Sequence, residues 1–177
     1  HDVGKLARPY FFVENQRGGE NPHDKMTPNL SRMVILNHVK EGLEMAKEYK
    51  LPTVIVDFIA EHHGTSMVQY FYEKAKERDQ NPVLPDDFSY PGPKPQSKET
   101  AILMLADSSE AAVRSMTNPT YDRVKSMIKN IVKEKINSSQ LSESTLTLKE
   151  IDLITEKISQ VAAGIHHTRI KYPGQRM

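Results

Sequence analysis

Residues 52–63 read PTVIVDFIAEHH, and the fold class turns on whether this run is strand or helix. Its Val and Ile favour a strand by composition alone. Pro52, however, suits the first turn of a helix, and the Gly64 that follows suits a C-terminal cap. The run is therefore predicted to be a short buried helix. Upstream, Asn29 to Tyr49 carries Leu30, Val34, Val39, Leu43 and Ala46 at helical spacing, with Thr27 and Pro28 before it and Leu51-Pro52 ending it. Downstream, Ser66 to Asp79 reads as a helix with an aromatic stripe. Asn81 to Pro95 holds Pro82, Pro85, Pro91, Pro93 and Pro95, and so reads as a loop. Ser97 caps a helix running to about Met116. Thr120 to Asn137 follows as an amphipathic helix, with Lys125, Lys129, Lys133 and Lys135 on a solvated face. Ser138 to Thr145 is a polar connection. Thr147 to about Ile170 is the last helix, with Leu148, Ile151, Ile154, Ile158, Val161 and Ile165 as its apolar stripe. Pro9 to Pro28 reads as a long loop, a kind of segment that is often functional. The expectation is an all-α chain, one domain over 1–177, of about six or seven helices.

Composition narrows the chemistry. The chain has 177 residues, a length for one domain with a real core. A formal net charge of +1 gives no general pull toward a nucleic acid polymer or a membrane surface. With no cysteine, disulfides, thiolate metal sites and cysteine nucleophiles are excluded. No apolar run approaches the roughly 20 residues that span a bilayer. The chain opens inside a motif and without Met, which reads as an excised domain whose upstream part is not in view.

Seven histidines fall into groups. His1 and Asp2 open HDVGK, and Gly4 removes a side chain beside them. An Asp has two oxygens and is able to bridge two ions. His23-Asp24 repeats the dipeptide in NPHDKMTP and reads as a decoy in a loop. His38 lies on the expected buried face of its helix. By itself it reads sooner as a core histidine bonded to a backbone carbonyl than as a ligand. Gly42, one turn on, signals a close approach by a helix or a ligand. His62-His63 end an apolar run, where a helix C-terminus favours a cation. Asp107 sits in the apolar AILMLADSSEAA, where a carboxylate is costly unless paired, with Arg114 one partner, or bound to a metal. His166-His167 form a further pair, read as structural.

The order HDxGK, a lone His, an HH pair and an Asp in an apolar helix resembles the HD-domain superfamily of metal-dependent phosphohydrolases. FFVENQ (11–16), NPHDK (21–25), HVKEG (38–42) and EHHGTSMVQYFY (61–72) resemble one branch of it. That branch is the seven-transmembrane receptors with an intracellular HD hydrolase, the PgpH-type cyclic di-AMP phosphodiesterases of bacteria. The resemblance implies a helical HD bundle with a long loop after the HD motif. It implies two divalent metal ions, iron or manganese, held by His1, Asp2, His38, His62, His63 and Asp107. Asp2 would bridge the ions and Lys5 would lie near the substrate phosphate, making these two the catalytic pair. The family has one more histidine ligand on a helix upstream of HD, which this sequence does not contain. The resemblance further implies a cytoplasmic domain of a bacterial membrane protein.

Such a site suits phosphodiester hydrolysis, because two cations lower the pKa of a bridging water and offset charge on the phosphate. The expected reaction is in-line attack on cyclic di-AMP to give linear pApA. Asn15, Gln16, Arg17, Thr65 and Tyr70 are candidate substrate contacts beside Lys5. The alternative readings are an HD hydrolase for another nucleotide and a sensor that binds nucleotide without cleaving it. Oligomeric state is left open.

Overall fold

In a computed structural model, residues 1–16, 20–78 and 82–167 are described, with side chains to Ile165. Six α-helices and several short 3₁₀ turns make up most of the secondary structure of these residues, and within PTVIVDFIAEHH the stretch Thr53–Glu61 is helical as predicted, with Pro52 and the two histidines just outside it. The chain divides into two compact units, His1–Pro95 and Gln96–Met177.

The first unit is built on α1 (Pro28–Glu48). Thr27 caps it, its side chain accepting from the Leu30 N–H, and Pro28 occupies the first turn where no N–H is needed. The face that α1 buries is narrower than the apolar spacing suggested. Ser31, His38, Val39, Gly42 and Ala46 are buried, whereas Leu30 is exposed. Small residues dominate this face because backbone lies directly on it. The HD segment forms a 3₁₀ turn, Val3–Ala7, against α1. A Cβ on Gly4 would fall 1.8 Å from the His38 carbonyl oxygen, and one on Gly42 would fall 2.9 Å from Ile59 Cγ2 and 3.4 Å from the Gly4 nitrogen. The close approach signalled by Gly42 is thus with the HD segment and with α2 at once.

Helix α2 (Thr53–Glu61) starts after Pro52, which is the N-cap rather than part of the first turn. It is buried on one side only: Ile59 is fully enclosed while Val54 is exposed. Gly64 takes φ +54° and its N–H reaches the Glu61 carbonyl at 2.9 Å, closing the turn. Helix α3 (Gln69–Arg78) begins later than its spacing implied. Residues 66–68 are extended and pair with residues 88–90: Val68 N–H donates to Phe88 O at 2.8 Å and Tyr90 N–H to Ser66 O at 2.9 Å. The proline-rich stretch is therefore tied down. It carries a 3₁₀ turn, Pro85–Phe88, and buries Phe88 against Phe71 and Ala75. The segment from Pro9 to Pro28 is also less irregular than expected, with 3₁₀ turns at Pro9–Phe11, Val13–Asn15 and Pro22–Lys25.

The second unit is α4 (Lys98–Arg114), α5 (Tyr121–Asn137) and α6 (Leu148–His167) around a core that includes Met104, Leu105, Val124, Ile128 and Ile151. Ser97 and Thr100 form a reciprocal capping box at the start of α4. Two expectations fail here. On α6 the buried line is Ile151, Thr155, Ser159 and Ala163, while Leu148, Val161 and Ile165 are exposed. The two hydroxyls tolerate burial because each donates to the carbonyl four residues earlier, both at 2.7 Å. On α5, Lys135 is buried rather than solvated, and burial lowers its pKa. No described helix is long and apolar enough to cross a membrane.

Candidate metal centre

Ligand atoms of Asp2, His38, His62 and His63 lie within 4.8 Å of one another. Three elements bring them there. The Gly4–Gly42 contact seats Asp2 on α1, His38 projects from α1, His62 is the C-cap of α2 and His63 follows it. His38 and His62 are almost wholly buried, at 1% and 0% exposure.

The ring orientations can be deduced. A carbonyl only accepts, so His38 Nδ1 must carry the proton it donates to Ile35 O at 2.6 Å. His62 Nδ1 likewise donates to Phe58 O at 3.1 Å and Ile59 O at 3.0 Å. In the neutral rings each Nε2 is then a bare lone pair, and these two atoms face each other at 3.2 Å. Asp2 Oδ1 lies 3.5 Å from His38 Nε2 and 3.6 Å from His62 Nε2, longer than ordinary hydrogen bonds. Converging lone pairs and a carboxylate oxygen, fixed from behind by carbonyls, form a donor set that fits a divalent cation.

Electrostatics supports this. Burial pushes His38 down to about 4, and burial also pushes His63 well below the ordinary histidine value, so both rings stay neutral and able to ligate. Burial works against ionised Asp2, yet His1, His62 and Lys5 more than offset it and hold the carboxyl far below the usual range. His1 Nε2 is 3.3 Å from Asp2 Oδ2, and its ring meets that of His62 edge-on at 4.8 Å. Lys5 Nζ sits between two carboxylates, 2.8 Å from Asp2 Oδ2 and 2.5 Å from Glu14 Oε1. Burial opposes its charge, but Asp2 and Glu14 raise its pKa overall.

The other candidates have these settings. Asn15 is exposed, and Gln16 is partly buried with its amide donating to Tyr10 O at 3.2 Å. Arg17 lies outside the described residues, as do the side chains of His166 and His167. Thr65 is exposed in the turn after the histidine pair. Tyr70 is exposed too, its ring in contact with Phe71 and with Lys74 Nζ, 4.5 Å from its centroid. Asp107 is partly buried on α4 in the second unit, and Arg114 pairs with Glu110 at 3.3 Å. His23 is buried, bonded to Phe11 O at 2.9 Å and set between the rings of Phe11 and Phe71.

Three residues were not singled out by the sequence. Glu14 anchors Lys5, and Phe12 lies under the Lys5 ammonium at 5.3 Å with its ring edge-on to His38. Tyr90 stacks on His63 with centroids 4.2 Å apart and 21° between planes. Glu14 and Phe12 stand inside FFVENQ, where the motif itself was the available signal. Tyr90 had none, since nothing local ties residue 90 to residue 63.

The HD domain family model matches residues 1–112, which run from the HD pair through Asp107. The chain is 47% identical over 173 residues to cyclic-di-AMP phosphodiesterase PgpH of Bacillus subtilis (strain 168), covering 98% of this chain and 24% of that protein. It is 46% identical over 177 residues to cyclic-di-AMP phosphodiesterase PgpH of Listeria monocytogenes serotype 1/2a (strain 10403S), with 99% and 24% covered. The chain thus spans about a quarter of the length of the curated relatives it matches. The crystal structure of the L. monocytogenes phosphodiesterase PgpH HD domain in complex with cyclic-di-AMP superposes with a TM-score of 0.90 at 46% identity, over 93% of this chain and 77% of that one.

Proposed function

The chain belongs to the HD domain family, and on that premise we propose that it is a metal-dependent phosphodiesterase that opens cyclic di-AMP to the linear dinucleotide. The observation that carries this is the cluster of Asp2, His38, His62 and His63, whose ligand atoms lie within 4.8 Å with both buried Nε2 atoms turned inward. The likeness to the two PgpH proteins supports the choice of substrate.

Divalent ions, two of them and iron or manganese in this proposal, supply Lewis acidity and lower the pKa of coordinated water. The chain's own groups do the rest. His38, His62 and His63 would hold one side of the site through their ring nitrogens. Asp2 offers one oxygen to that side and turns the other toward His1 and Lys5, an arrangement suited to a bridging carboxylate. Asp107 is assigned the closing carboxylate by the order of motifs. Lys5 carries a permanent positive charge for a phosphate oxygen, kept beside Asp2 by Glu14. Thr65, Asn15, Gln16, Arg17 and Tyr70 are retained as proposed substrate contacts. The proposal extends to a longer, membrane-anchored parent with this domain on the cytoplasmic side. Recovery of the full-length protein in the soluble fraction of its cells would contradict that part.

The test is to incubate the domain and manganese with a panel of cyclic dinucleotides. Cleavage of cyclic di-AMP to pApA is expected. Cleavage of cyclic di-GMP alone would overturn the substrate assignment. Asp2→Ala and Asp107→Ala are each expected to abolish turnover with the circular dichroism spectrum unchanged. Full turnover by either variant would remove that residue from the site.

A further inference from the structure

His38 and His62 are locked by Nδ1 bonds to carbonyls of their own helices, at 2.6 Å for His38 and at 3.0 Å and 3.1 Å for His62. His63 follows the end of α2, where the helical ladder no longer fixes the backbone. Its ring lies flat against Tyr90, with 4.2 Å between centroids and 21° between planes, while the same Tyr90 ring meets His38 at 83° and 6.0 Å. Near-parallel rings at this separation resist rotation of either about its Cβ–Cγ bond.

Tyr90 is itself placed firmly. It is 8% exposed, too enclosed to serve as a face for a substrate base. Its N–H donates to Ser66 O at 2.9 Å, three residues after His63, and Val68 N–H returns to Phe88 O at 2.8 Å. Phe88, 1% exposed, anchors this short ladder among Phe71 and Ala75. The backbone leaving the histidine pair and the backbone carrying Tyr90 are therefore fastened together next to the ring that the tyrosine covers.

We propose that Tyr90 is a positioning residue of the metal centre, which sets the plane of the His63 ring so that its ligand nitrogen points where those of His38 and His62 point. This rests on the reading of His63 as a metal ligand. Groups that orient metal ligands from behind typically change metal affinity by 10- to 100-fold when removed.

The experiment measures manganese affinity of the whole chain by competition with a fluorescent chelator, for wild type, Tyr90→Phe and Tyr90→Leu. Thermal unfolding of each metal-free protein is recorded alongside. Tyr90→Leu is expected to bind manganese about tenfold more weakly, at the low end of the range for lost orienting groups. Tyr90→Phe keeps the ring and is expected to restore wild-type affinity. Wild-type affinity in Tyr90→Leu, or a loss in Tyr90→Phe as large as that in Tyr90→Leu, would overturn the proposal. Should Tyr90→Leu not fold, Tyr90→Met, nearer in volume, carries the same comparison. Because the readout is metal binding, it is independent of substrate. Tight manganese binding with no cleavage of cyclic di-AMP would sink the proposed function and leave the role of Tyr90 standing.

Discussion

A buried imidazole that must stay neutral makes stability depend on pH. Burial lowers His38 to about 4 from an ordinary 6.5. Between these values the unfolded chain binds a proton that the folded chain refuses. The contribution is therefore complete above about pH 6.5 and is lost as pH falls toward about 4. At about 1.4 kcal/mol per pKa unit, the full loss is roughly 3 kcal/mol. Urea unfolding of the metal-free protein at about pH 7 and about pH 4.5 is expected to show most of it. In His38→Gln that share of the slope disappears, and an equal slope in both proteins would refute the assignment. The sequence made His38 visible as a histidine on a buried helix face, where a core role is the readier reading until the other motifs are set beside it. Its ring state was not legible, because it depends on Ile35 O behind the ring and His62 Nε2 in front of it. Lys5 is similar: the motif named it, but the Glu14 carboxylate 2.5 Å away comes from a segment the sequence left as a loop.

Elements pack here by backbone contact as much as by side chains. A Cβ at Gly4 would meet main-chain atoms of α1 at 1.8 Å and 2.5 Å, and main chain cannot step aside without moving Asp2. Gly4→Ala is expected to cost about 3 kcal/mol, the upper end for overpacking, and to weaken metal binding. A Cβ at Gly42 would first meet Ile59 Cγ2 at 2.9 Å, the tip of a side chain with room to shift. Alanine also gains about 1 kcal/mol of helix propensity there, so Gly42→Ala is expected to be much milder. Equal losses in denaturant midpoint for the two variants would contradict this packing. Ser97→Ala removes one half of a capping box and should cost about 1 kcal/mol while leaving manganese affinity intact. Such caps explain why helix starts at Thr27, Ser97 and Thr120 were legible: the donor and acceptor are three residues apart in sequence. The start of α3 was not. Residues 66–68 are drawn out of the helix by partners at 88–90, and no local spacing encodes a pairing that distant. The stripe on α6 misled for a different reason, since Thr155 and Ser159 satisfy their own hydroxyls and take the inner positions from Val161 and Ile165.

At the scale of the whole molecule, an ion held by the candidate metal centre would also be a structural tie, since the cluster draws on the HD segment, α1 and the end of α2. The metal-free cluster places two imidazole lone pairs 3.2 Å apart beside a carboxylate, a polar arrangement that is costly until a cation is present. The unfolded chain cannot assemble these donors, so an ion held by them would bind the folded state and shift unfolding by mass action. Free manganese at about 100 times its dissociation constant should add about 2.7 kcal/mol. Thermal unfolding followed by circular dichroism, with manganese and then with excess EDTA, reads this as a reversible rise in the midpoint. Asp2→Ala removes the carboxylate that faces both sides of the cluster and is expected to abolish the rise. Lys125→Ala removes a half-buried pair with Glu156 and a contact with the Tyr121 ring, both within the second unit, and is expected to keep it. A midpoint indifferent to manganese in the wild-type protein would mean that the converging histidines do not hold an ion, and the proposed chemistry would fall with them.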